Sequence, residues 1–309
     1  MDELDGDTSS IANLIITPGG TGISLREAIL AANMTGGTDT IAFNIGGGGP
    51  QTLTLGSSLF GVTDDVTIDG TTQGGFSGTP IIEIDATGVQ TGLTLSGGTS
   101  GSTVRGLVIN NADSFGISIN GGGGHTIVGN YIGTDVAGTS DLGVGFYGIN
   151  IVTSTGSNII GGTTAADRNV ISGNDSRGIF VNSGDSNTIT GNYIGVGSDG
   201  TTALGNSTGV FIATSNNTIG GTGGAANIIA NNTGDGIHVL SGTGNLISGN
   251  SIHSNGDLGI DLGANGVTAN DTGDGDAGAN NLQNFAVLNH AATGESQRKR
   301  RDKPAWDWE

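Results

Sequence analysis

The chain has 309 residues, enough for one large domain or two ordinary ones. Glycine supplies 62 of them, charged residues make up only 12% and there is no cysteine, which excludes a disulfide framework and thiolate chemistry. The formal net charge is −19, and five of the nine basic residues lie in one run, "RKRRDK" at 298–303. That leaves the body with Arg26, Arg105, Arg168 and Arg177, which argues against nucleic acid as a partner.

In chain order, the opening "MDELDGDTSS" has neither the basic nor the apolar region of a signal peptide. No run of 18 apolar residues follows, so no membrane span is expected; the chain reads either as cytoplasmic or, the favoured expectation, as a mature or excised piece of a longer protein. "SLREAILAAN" (24–33) is the one good helical signal. Ser24 with Glu27 three positions on makes a capping box, and Leu25, Ala28, Ile29 and Ala32 share one face. Residues 1–37 are therefore assigned to an N-terminal cap. Next come "DTIAFNI" (39–45), "QTLTL" (51–55), "DVTIDG" (65–70) and "PIIEIDA" (80–86), short strands with alternating sides.

From residue 92 a Gly-apolar-x-apolar phrase repeats: "GLTL" (92–95), "GISI" (116–119), "GINI" (148–151), "GIFV" (178–181), "GVFI" (209–212), "GIHV" (236–239) and "GIDL" (259–262). The steps are 24, 32, 30, 31, 27 and 23 residues. No helix-forming stretch recurs, and the steps are too short for propeller blades. Coils of two or three short strands predict an all-β chain, a parallel β-helix over 38–263 with roughly nine coils, about 40–45 Å long. Asn130, Asn174, Asn192, Asn232 and Asn250 each follow an apolar-x-Gly or similar turn, which predicts a buried asparagine stack bonding the corner backbone. The near-duplicate "GNYIGTDVAGTS" (129–140) and "GNYIGVGSDGTT" (191–202) predict two similar bulges on one side of the rod.

The x of the phrase should face outward, giving the column Thr94, Ser118, Asn150, Phe180, Phe211, His238, Asp261. Phe180 and Phe211, with Tyr147 and Arg177 beside them, are the candidate carbohydrate-binding residues. Asp235, His238, Asp257 and Asp261 should converge near the C-terminal coils, with His253 nearby. Two carboxylates and an imidazole suit acid–base work on a glycosidic bond or a divalent cation, and a solvated Asp-rich turn is the plain alternative. After Gly263 the pattern changes. An Asp-rich segment (264–290) places Asp271, Asp274 and Asp276 among glycines, the candidate calcium ligands. Residues 291–309 share nothing with the repeats and are expected to be a flexible tail.

Taken together, "SLREAILAAN", "RNVISGN", "GNYIGTDVAGT" and "NDTGDGDAGANNLQNFAVL" resemble the right-handed parallel β-helix repeat proteins of bacterial surfaces and secretions, the pectate-lyase-like fold superfamily. The resemblance covers about residues 24–288 and implies an extracellular or cell-surface setting. The enzymes of that fold use an Asp-Pro-His, an Arg-x-Lys or a basic residue beside calcium; the coils carry neither of the first two patterns and are short of basic residues. The expectation is a monomeric, non-enzymatic structural, adhesion or carbohydrate-binding module whose partner is a polysaccharide or cell-surface component. The alternative is a calcium-assisted polysaccharide lyase, hydrolase or epimerase acting along the Phe180–Asp261 column.

Overall fold

The computed structural model describes residues 2–97, 101–264 and 266–286. The chain winds into a right-handed parallel β-helix with three sheets. The first sheet runs from Asp39–Ala42 to Leu246–Ser248 and the second from Gln51–Thr54 to Ser251–His253, each with eight strands. The third has seven: Thr91–Leu95, Phe115–Asn120, Tyr147–Val152, Arg177–Val181, Thr208–Ile212, Ile237–Val239 and Ile260–Leu262.

Eight coils result, where the sequence predicts roughly nine. The four early strand phrases supply only two coils, because each turn of the helix consumes a strand on every sheet. On the third side of the first coil the chain makes a single bridge, Val62 to Leu95. Seven steps of about 4.8 Å give a rod roughly 34 Å long.

The core is three columns of branched residues, one per sheet. On the first sheet Ile68, Val104, Ile127, Ile160, Ile189 and Ile219 are in register and fully buried. Ile84, Ile109, Ile132, Ile171, Ile194 and Ile229 do the same on the second. Each such side chain contributes about 1.5–3 kcal/mol on leaving water, and β-branched residues suit the pleated surface.

The corners carry three asparagine ladders, not one. Asn130, Asn169, Asn192, Asn227 and Asn250 line the corner between the first and second sheets, each passing a side-chain hydrogen bond to the next. Asn174, Asn206, Asn232 and Asn255 line the next corner, and Asn158, Asn187, Asn217 and Asn245 the third. The sequence expectation merged Asn174 and Asn232 with the first ladder, because spacing along the chain does not say which corner a residue turns. Glycine precedes the asparagine where the turn needs a left-handed residue. Gly191 has φ +68°, and a Cβ there would strike the carbonyl of Gly162.

At the N-terminal end, helix α1 (Ile11–Ile16), which the sequence reading did not anticipate, precedes α2 (Leu25–Asn33). Helix α2 starts at Ser24 with the predicted capping box. Its Glu27 is buried and accepts hydrogen bonds from the backbone amides of Ser24, Asp5 and Gly6. Arg26 pairs with Asp2 at 2.6 Å and donates to the carbonyls of Ser57 and Ser58. Arg26 thus fastens the cap to the first coil, while Glu27 ties the cap's own segments together.

The two insertions leave the rod between the second and third sheets. Each is closed by an antiparallel bridge, Thr134 to Asp141 and Val196 to Ala203. They touch: the Ser198 amide donates to the Gly138 carbonyl at 2.8 Å. Residues 264, 266–286 fold over the last coil, with Ala279 buried against it. The tail 291–309 and residues 287–290 lie outside the described residues. Among the described residues no helix is long and apolar enough to cross a membrane.

Candidate functional site

The outward face of the third sheet carries an unbroken ladder of rings, one per coil. Phe115 stacks on Tyr147 at a centroid distance of 5.5 Å, and Tyr147 meets Phe180 at 4.8 Å. Phe180 meets Phe211 edge-on at 5.5 Å, and Phe211 stacks on His238 at 4.8 Å. Phe146 flanks the upper end. Backbone register explains the lower part: Asn150, Phe180, Phe211, His238 and Asp261 are paired neighbours on successive strands. The upper part changes column. Tyr147 is in register with Phe115 and Arg177, so the ladder passes diagonally from Tyr147 to Phe180.

Arg177 fills the place that this diagonal leaves. Its guanidinium lies 3.9 Å from the Phe211 centroid, 4.6 Å from that of Phe180 and 5.1 Å from that of Tyr147. Its Nη1 donates to the Tyr147 hydroxyl at 2.7 Å. Among the described residues it forms no ion pair, and its guanidinium is held instead by attraction to the ring faces. Phe180 and Phe211 lie outside the coil, as the alternation predicts, but are half-buried by each other and by Arg177. Ser118 and Asn150 in the same column are buried.

The ladder ends in a polar cluster. His238 Nδ1 is 3.3 Å from Asp235 Oδ2 and 3.8 Å from Asp261 Oδ2, and Nε2 is 3.1 Å from the Gly263 carbonyl. The three side chains offer ligand atoms within 4.8 Å of one another. Asp235 and Asp261 are only 5% and 1% exposed. Asp235 Oδ1 accepts from the Leu258 amide and Asp261 Oδ2 from that of Gly266. The turn that follows Gly263 therefore covers what the sequence left open to solvent.

Two residues expected here are elsewhere. Asp257 is exposed and outside the cluster. His253 belongs to the second sheet, where its nearest polar partner is Ser254 Oγ. The Gly263 carbonyl was missed, since no side-chain pattern marks it. Asp271 and Asp274 are exposed and accept hydrogen bonds from the amides of Gly275 and Asn284, and Asp276 is half-exposed. Among the described residues, Asp235, His238 and Asp261 are the one group of three whose ligand atoms converge.

On the far side of Asp261, between the last coil and the covering segment, lies an open cavity of about 640 Å³. Leu246, Ile260, Asp261, Val267, Leu282 and Phe285 contribute to its lining. No known family model, curated protein or solved structure matches this chain.

Proposed function

We propose that this chain is a non-enzymatic β-helix module that binds an extended polysaccharide along the outer face of its third sheet. The observation that carries the reading is the five-ring ladder from Phe115 to His238 with Arg177 laid across it. Stacked rings spaced one coil apart offer repeating apolar contacts to a repeating chain. The remaining guanidinium N–H groups of Arg177 offer charge-assisted hydrogen bonds to hydroxyl or carboxylate oxygens.

Catalysis at Asp235 and Asp261 is the weaker reading. Both carboxylates turn toward His238 and accept backbone amides, whereas glycoside hydrolysis needs two carboxyl groups flanking the scissile bond. The extracellular or cell-surface setting rests on the motif resemblance alone.

The test is affinity electrophoresis through gels containing neutral or acidic polysaccharides, with the wild type, Phe180→Ala and Phe211→Ala, while polymer length is followed in parallel. Retardation of the wild type that falls at least tenfold in both variants, with polymer length unchanged, is the expected result. Equal retardation of all three would sink the ladder as the binding face. Shortening of the polymer would replace this reading with the enzymatic one.

A further inference from the structure

We propose that Asp235, His238 and Asp261 form a binding site for a late first-row divalent metal ion, with zinc the best fit, which clips the last two coils together. The site does not depend on the polysaccharide reading.

The Gly263 carbonyl can only accept, so at 3.1 Å the Nε2 of His238 carries a hydrogen and donates it. That directs Nδ1 at the two carboxylates. Ionised carboxylates also only accept. Three acceptors facing one point call for a hydrogen or a cation between them: a proton on Nδ1 or on one carboxyl, a donating water, or a metal ion.

Two features favour the metal. First, Asp261 Oδ1 is buried without a hydrogen-bond partner. The Asp261 oxygen nearer to Nδ1 is Oδ2, which already accepts from the Gly266 amide, so a proton on Nδ1 leaves Oδ1 bare, whereas an ion gripped by both oxygens of the Asp261 carboxylate would engage it. Second, an imidazole whose other nitrogen donates to a backbone carbonyl is the usual arrangement of a metal-bound histidine, because that bond fixes the tautomer and the ring plane.

The donor set selects the ion. Calcium takes six to eight oxygens, and here an imidazole nitrogen stands with two carboxylates in a nearly buried place. One nitrogen and two oxygens suit zinc, which takes four ligands. A tetrahedral ion with bonds of about 2.0–2.1 Å sets its ligand atoms roughly 3.3 Å apart. The two separations from Nδ1, 3.3 and 3.8 Å, lie close to that value. The ligands come from separate segments: Asp235 and His238 precede or lie on the seventh coil's strand, and Asp261 lies on the eighth.

The test uses the whole chain stripped with chelator, titrated with Zn²⁺ by calorimetry and with Co²⁺ by visible absorption, which reports tetrahedral coordination. Wild type, His238→Gln, Asp261→Asn and the double variant Asp271→Asn/Asp274→Asn are compared. The expected result is one Zn²⁺ per chain and tetrahedral Co²⁺ bands, weakened at least 100-fold in His238→Gln and Asp261→Asn but not in the double variant. Absence of stoichiometric Zn²⁺, or binding unchanged in His238→Gln, would overturn the proposal. Should the single variants not fold, nitrogen NMR of His238 in the wild type decides. Loss of any Nδ1 proton and a shift of Nδ1 with one equivalent of Zn²⁺ supports the site, and an imidazole protonated on both nitrogens in excess Zn²⁺ overturns it.

Discussion

Asn192 shows what a single side chain contributes to this architecture. Its Nδ2 donates to the carbonyls of Ile160 and Thr190 and to Asn227 Oδ1, and its Oδ1 accepts from Asn169. Truncation to alanine strands several of these buried groups. Asn192→Ala should cost about 2–3 kcal/mol in urea unfolding, and Asn250→Ala, at the less buried end of the same ladder, less than half as much. Glu27 makes a pH-dependent contribution. Burial pushes its carboxyl up, but the amides of Ser24, Gly6 and Asp5 and the Ser24 hydroxyl outweigh that and hold it below its ordinary value of 4.5. A depressed carboxyl stabilises the fold above its unfolded value and loses that contribution as pH falls through the folded one. The stability gap between wild type and Glu27→Gln should therefore be full above about pH 4.5 and close as acid is added, as measured by urea unfolding at stepped pH. How much could be read in advance also differs by residue. Phe180, Phe211, His238 and Asp261 follow from alternation along a strand. The burial of Asp261 does not, because its cover is a turn with no pattern of its own. Nor does the diagonal step from Tyr147 to Phe180, which depends on Arg177 taking the place in between.

Among the elements, the strands of the third sheet were legible because their Gly-apolar-x-apolar phrase sets both register and facing. Two of the two-residue strands of the second sheet were legible only through a repeated phrase, "GNYIG", and not through alternation. Tyr131–Ile132, Val170–Ile171 and Tyr193–Ile194 have two residues each, too few for any periodicity. Helix α2 was legible through its capping box, whereas α1 has six residues and one buried side chain, Leu14. The insertions are elaborations of a corner that works without them. The coil between them runs from Ile171 to Arg177 directly. Replacing 135–140 by a two-residue turn should therefore leave the far-ultraviolet circular dichroism unchanged and lower Tm by less than Asn192→Ala does. A larger fall would mean that the Ser198–Gly138 contact between the insertions carries more of the stability than the corner itself.

The molecule as a whole is sealed unequally. Helix α2 and the Asp2–Arg26 pair close the first coil, while at the other end Leu246 and Ile260 remain 57% and 42% exposed beside the open cavity. Stacked repeats lose order from the end with the weaker interface. Hydrogen exchange should run in that order: amides of the eighth coil exchange first, those of the second more slowly, and those of the fourth to sixth last. Slower exchange in the eighth coil than in the second would contradict this. In the presence of Zn²⁺ the eighth coil should gain most, because the proposed ion bridges it to the seventh.

Because every sheet is built from strands of successive coils, the backbone hydrogen bonds lie along the rod. A pull on the two ends loads them in tension, rung after rung, instead of shearing a whole sheet at once. Phe180 and Phe211 are register partners 31 residues apart (211 − 180), so each coil that lets go frees roughly 100 Å of chain. Under load such a rod would lengthen in steps and yield at moderate force, beginning at its loosely closed end. It would behave as an extensible tether and not as a rigid strut.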